Sequence, residues 1–263
     1  MTEQQTEPTE AEAADPARRP LARLWRRVVD TLPVLLVRAA HPRQAVLTAL
    51  ALAGAATLAG RPQREVLLVG VTVLVGQVLL GWFNDAVDVA RDRAHGRDKP
   101  VAAGRLDTGT LWFAICCAVL LLIPLTVNNG LLAGACYLVS VLVAALGNLD
   151  SGLVRRGLLS WLPWAISFGL YPAFLSYGGW GGQAEGSPPQ PAVVALAALL
   201  GIGVHFLTAL WGLVADNEDG WTYLPLRAAS VVGATRLLLL TLLYLAVVTV
   251  ALAVTAHQVG LTA

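Results

Sequence analysis

The stretch EVLLVGVTVLVGQVLLGWFNDAVDVARDRAHGRDKP, Glu65–Pro100, decides the fold. It opens as an apolar run of about 20 residues, the length and character of a helix that crosses a bilayer. It then changes abruptly. Between residues 81 and 107 lie five acids, at 85, 88, 92, 98 and 107, and five Arg or Lys. The chain avoids charge almost everywhere else, so this concentration needs a chemical reason.

The whole 263-residue chain is 56% hydrophobic and 13% charged, against about a quarter charged in soluble domains. Seven apolar segments are predicted to span: 44–60, 65–88, 109–127, 130–148, 158–176, 191–215 and 234–256. They are continuous runs and not alternating ones, which excludes a β-barrel. The fold class is an all-α integral membrane protein, a bundle of about seven transmembrane helices. A net charge of +1 with no basic domain excludes a nucleic-acid partner, since nothing would neutralise the phosphates. Cys116, Cys117 and Cys136 lie inside predicted spans and make no disulfide framework.

Residues 1–17 carry five acids and little that is apolar, and read as a disordered tail. Residues 18–43 are Arg-rich and read as an interfacial segment. The membrane domain is 44–263. With the N-terminus inside, the loops 89–108, 149–157 and 216–233 carry eight Arg or Lys, and the opposite connections carry only Arg61 and Arg64. The positive-inside rule therefore places the protein in the plasma membrane as a multi-pass protein, with both acid-bearing loops cytoplasmic. The Gly- and Pro-rich loop 177–190 is expected outside.

Of eleven acids beyond residue 60, five lie in 85–107 and three in 216–219. Asp85, Asp88 and Asp92 are spaced three and four apart, so on one helix they share a face, with Asn84 four before Asp88. Gln77 and Gly81 continue that stripe into the span, which points it into a bundle. Three like charges on one face repel unless a cation sits among them, and hard oxygen ligands suit Mg²⁺. Interfacial polarity with snorkelling arginines is the plainer explanation, but it does not call for this spacing. In the second cluster Asp216 and Asp219 stand one turn apart. Two carboxylate sets facing each other would hold Mg²⁺ around a diphosphate, with Arg93, Arg97 and Lys99 taking the remaining charge. His205, on the sixth span, reads as a hydrogen-bonded bundle residue.

NDAVDVARD followed by DKPVAAG (84–92 and 98–104) resembles the first aspartate-rich motif of the UbiA superfamily of intramembrane prenyltransferases. RAAHP (38–42), SWLPWAISFGLYPAF (160–174), GIGVHFLTAL (201–210) and GWTYLPLR (220–227) are similar to further segments, in the manner of its actinobacterial branch. The resemblance implies a helical bundle with a central cavity, in which a prenyl diphosphate bound through Mg²⁺ ionises and alkylates an acceptor. Asn84, Asp85, Asp88 and Asp92 then form the first catalytic motif, and Asp216 and Asp219 the second. The metal ligands are Asp85, Asp88, Asp92, Asp216 and Asp219. Arg93, Arg97, Lys99 and Arg155 are the diphosphate-binding residues. The partners implied are a prenyl diphosphate, the lipid bilayer and an acceptor that the sequence does not name.

Two departures stand out. The first aspartate of the family's second motif falls on Gly212; restoring an aspartate there is expected to be tolerated. The family also has nine spans against the seven counted. A UbiA-type terpene cyclase using the same cation, or a homologue that binds isoprenoids without turnover, are the alternatives to a transferase.

Overall fold

The computed structural model describes residues 30–179 and 186–261. The acidic tail, residues 18–29 of the basic segment and residues 180–185 of the Gly-rich loop, including Trp180, lie outside the described residues. Every regular element among the described residues is a helix: α1 (Leu32–Ala39), α2 (Pro42–Leu58), α3 (Gln63–Val87), α4 (Val89–Ala94), α5 (Thr108–Asn128), α6 (Leu131–Asn148), α7 (Leu162–Gly169), α8 (Tyr171–Ser176), α9 (Pro191–Ala209), α10 (Leu213–Glu218), α11 (Leu224–Val232) and α12 (Ala234–Val259).

Five of these, α3, α5, α6, α9 and α12, are long and apolar enough to cross a membrane. The segment 44–60 forms the 17-residue α2, which packs along α3. The segment 158–176 is not one helix. It divides at Leu170 into α7 and α8, because Pro172 has no N–H to continue the hydrogen-bond ladder. The segment 191–215 stops at Ala209, and the chain turns before starting α10.

Local signals place the ends. Asp107 caps α5, its side chain accepting from the Thr110 amide at 2.9 Å. Gly130, at φ 103°, makes the tight return from α5 to α6, a conformation that a side chain would oppose.

Two helices organise the bundle. α3 is surrounded by α2, α5 and α6, and α9 by α7, α8 and α12; α6 joins the halves by packing on α7 and α8. Lipid offers no hydrophobic drive for helices to associate, so close packing and interhelical hydrogen bonds hold them. Both are present. Asn129 donates to Thr72 at 2.9 Å, Tyr137 to the Val73 carbonyl at 3.2 Å, and Ser167 to the Ser140 carbonyl at 2.9 Å. The outside is apolar: Phe113, Leu120, Leu239, Leu243 and Val250 are exposed, as a lipid-facing surface requires. α1 does not lie free on a surface. Leu35 and Ala39 are buried against Val101, Leu106 and Leu111, and Trp82 Nε1 donates to the Leu36 carbonyl at 2.8 Å.

Candidate functional site

The first aspartate motif straddles a helix break. α3 ends at Val87, and Asp88 is at once its C-cap and the residue before α4. Asp85, Asp88 and Asp92 therefore do not share one face of a single helix, as their spacing predicted. They are nonetheless all buried, at 2%, 7% and 1% exposure. Buried carboxylates must be compensated, and each has a cation. Lys99 Nζ lies 2.8 Å from Asp85 Oδ1 and 2.9 Å from Asp92 Oδ2, and 3.4 Å from Asn84 Oδ1. Arg155 Nη2 donates to both oxygens of Asp88 at 2.7 Å, while its Nη1 donates to the Asn148 carbonyl. Asn84 donates to Asp88 at 3.2 Å. Arg97 Nε stands 3.6 Å from Asp92. Burial works against the Lys99 charge, but Asp85 and Asp92 outweigh it and raise its pKa above the ordinary lysine value. Arg93 is not brought to the aspartates; it donates to the Ala102 carbonyl.

The second cluster meets the first at the same end of the bundle. Asp216 and Asp219 are both held by Arg91, at 2.5 Å each. Asp219 also faces His95 Nε2 at 3.0 Å, and Tyr223 donates its hydroxyl to Asp216. The hydrogen bond from Arg91 holds the Asp219 carboxyl below its ordinary pKa, with His95 adding to it and burial opposing. Trp221 lies under Arg91, its ring centroid 4.2 Å from Cζ, with Arg155 at 5.5 Å and Arg156 at 5.7 Å. Gly212 stands where an aspartate was expected, and a Cβ there would lie 2.6 Å from Asp216 Oδ2. The expectation that an aspartate at 212 is tolerated meets this contact: a side chain there would push on the carboxylate that Arg91 and Tyr223 hold.

His41, Arg91, His95, Trp221 and Tyr223 were not singled out from the sequence. His41 is the only described non-glycine residue at positive φ, 52°, and its Nε2 contacts Asp85 Oδ1 at 3.0 Å. Arg91 carried no local signal that separates it from Arg93, since both are adjacent to Asp92. His205 is a bundle residue, its Nε2 3.0 Å from Ser160 Oγ.

Beneath the motifs lies a cavity of about 1700 Å³, larger than the roughly 300–1,000 Å³ of a drug-sized site. Asn84, Asn148 and Ser160 line one end; Leu58, Ser176 and Gly260 line the other. Trp164, Phe168 and Tyr171 form an aromatic wall between them. α2 and α12, which pack on different partners, both contribute to its sides. The aspartates stand behind the cavity's head, where His41 and Asn84 separate them from its apolar part.

The profile of the UbiA prenyltransferase family matches residues 42–263. The chain belongs to the UbiA prenyltransferase family. Comparison with curated proteins and with solved structures returns no match. For a UbiA family member the oxygen donors of the first motif are a chemically suitable set for a hard divalent ion. Asp92 Oδ2 is fully buried and meets the Lys99 ammonium at 2.9 Å, so a metal held there would share this carboxylate with Lys99. Among the described residues no three acids, histidines or cysteines converge as a closed metal cluster; Lys99 and Arg155 sit among the first-motif aspartates instead.

Proposed function

We propose that this UbiA family member transfers a prenyl group from a prenyl diphosphate to an acceptor within the membrane, with its acid-bearing end in the cytoplasm. The observation that carries this is the placement of three buried aspartates and their cations behind His41 and Asn84, at the head of an apolar cavity that runs through the bundle. A polyanionic head joined to a long hydrocarbon tail needs both parts. The cytoplasmic assignment rests on the Arg and Lys asymmetry.

Asp85, Asp88 and Asp92, with Asn84, would hold Mg²⁺, which would neutralise the leaving diphosphate. The chain's own residues supply the rest. Lys99, Arg97 and Arg155 bind diphosphate oxygens, the arginine with a fork that matches phosphate geometry. The cavity holds the tail and keeps water from the allylic carbon. The faces of Trp164, Phe168 and Tyr171 favour positive charge along the wall. The C–O bond breaks with both electrons leaving on the diphosphate oxygen. A nucleophilic atom of the acceptor forms the new bond and gives up a proton.

The test is diphosphate release from geranylgeranyl diphosphate by the purified chain in nanodiscs, with and without a membrane lipid extract as acceptor source. Release should need both divalent metal and the extract, and should fall to background with EDTA or in Asp88→Ala. Release without any acceptor, yielding a hydrocarbon or alcohol, would assign a cyclase. No release under any condition would leave a binding protein.

A further inference from the structure

The two aspartate motifs are not equivalent in their free capacity. Asp216 Oδ1 accepts from Arg91 Nη2 and its Oδ2 from the Tyr223 hydroxyl. Asp219 Oδ2 accepts from Arg91 Nε and its Oδ1 faces His95. All four oxygens meet protein groups. In the first motif, Asp85 Oδ2 accepts no hydrogen bond from any described residue, its contacts to His41 and Lys99 both falling on Oδ1, and Asp92 Oδ2 meets only the Lys99 ammonium, at 2.9 Å.

Position 212 makes the same point by steric means. The motif's other aspartate is Gly212, and the space its side chain would take is the space of the Asp216 carboxylate, 2.6 Å away. Glycine at 212 leaves this side without a second motif aspartate, and Arg91 brings a cation to the two acids that remain.

Arg91 is held firmly. Two hydrogen bonds of 2.5 Å fix its Nε and Nη2, and Trp221 covers its face at 4.2 Å. On the same indole, at 5.5 Å, lies Arg155, whose Nη2 grips Asp88. Arg155, Trp221 and Arg91 thus link the first motif to the second. Arg91 Nη1 makes no hydrogen bond to any described residue, and the side chain keeps 20% of its surface exposed. It offers a fixed charge and a free edge.

We propose that Arg91 takes the place of a metal ion at the second motif. Asp216 and Asp219 hold its guanidinium against Trp221, and its free edge, with Arg155, binds the diphosphate whose metal is carried by the first motif alone. This rests on the prenyl diphosphate reading above. A guanidinium stays protonated at any working pH, so this side of the site works independently of metal concentration.

The test uses the full chain in nanodiscs, Mn²⁺ followed by electron paramagnetic resonance, and farnesyl S-thiolodiphosphate as an inert substrate analogue. Asp88→Asn should lower Mn²⁺ affinity about 10–100-fold, as loss of a metal-site group commonly does. Asp219→Asn should keep it within about 3-fold, far short of that loss. Arg91→Gln should weaken analogue binding about 10-fold, the size of a lost charge-assisted hydrogen bond, with Mn²⁺ affinity retained. Trp221→Phe, which leaves both aspartates in place, should show the same split and so provides a second test should Asp219→Asn fail to fold. An Mn²⁺ loss in Asp219→Asn matching that in Asp88→Asn overturns the arginine substitution and leaves the prenyl diphosphate reading standing. Normal Mn²⁺ binding by Asp88→Asn overturns both.

Discussion

Removing the Lys99 ammonium tests the first motif most directly. It sits 2.8 Å from Asp85 and 2.9 Å from Asp92, two carboxylates each 2% exposed. Lys99→Met keeps the aliphatic stem and deletes the charge. Breaking a buried ion pair costs about 3–5 kcal/mol, because the remaining charge is left uncompensated. His41 stays 3.0 Å from Asp85 and Arg97 3.6 Å from Asp92, which places the loss at the low end, about 3 kcal/mol. In a chain of this size that is a fall in Tm of about 6–12 °C. Mg²⁺ on the same carboxylates would restore the missing charge. A ligand at 100 times its Kd adds about 2.7 kcal/mol, so saturating Mg²⁺ should bring the variant's Tm most of the way back to that of the metal-free wild type. The pH dependence has a definite sign. The Lys99 pKa is raised on folding, so its contribution is complete below the unfolded value of 10.5 and is lost only as pH climbs through the higher folded value. The deficit should therefore be flat from about pH 6 to about pH 9. The assay is thermal unfolding in detergent, in EDTA and in Mg²⁺. Equal melting of wild type and variant in EDTA would refute the pairing argument. A variant Tm that does not rise in Mg²⁺ would refute the idea that these carboxylates take the metal.

Gly212→Ala places a methyl 2.6 Å from Asp216 Oδ2; overpacking of this kind costs about 1–3 kcal/mol, seen as a lower Tm, and an unchanged Tm would show that Asp216 is free to move. Gly81→Ala is more severe, since its Cβ would meet the Ala40 backbone carbonyl at 2.5 Å and separate α1 from α3; near-normal yield and melting would contradict that contact. Cysteines introduced at the exposed Ala103 and Asn217, in a background without Cys116, Cys117 and Cys136, should both resist an impermeant thiol reagent in intact cells. Labelling of both would reverse the orientation, and labelling of one alone would separate the two motifs.

Much of the candidate site could be read without coordinates. The aspartates at 85, 88 and 92 were marked by spacing, Lys99 by its place in the cationic loop that follows them, and Arg155 by the family resemblance alone. The choice among the arginines was not legible. Arg93 and Arg91 are two residues apart in the same loop, yet one turns to the Ala102 carbonyl and the other bridges to α10. Nothing local distinguishes them, because each choice depends on which segment folds nearby. The shared face assumed for Asp85, Asp88 and Asp92 failed at Asp88, where the helix breaks. Asp85 and Asp92 nevertheless converge on Lys99 across that break, while Asp88 turns to Arg155.

By itself, the sequence determined that the chain is a membrane-embedded helical bundle and at which segment ends its charges gather. These follow from how each segment partitions between water and lipid, which is a property of the segment alone. Tertiary structure decided which charges meet. Arg91 reaches Asp216 and Asp219 across 125 and 128 residues, and Arg155 reaches Asp88 across 67. Electrostatic pairing acts over a few ångströms, so these contacts exist only once packing has brought α4, α10 and the loop before α7 to the same end of the bundle.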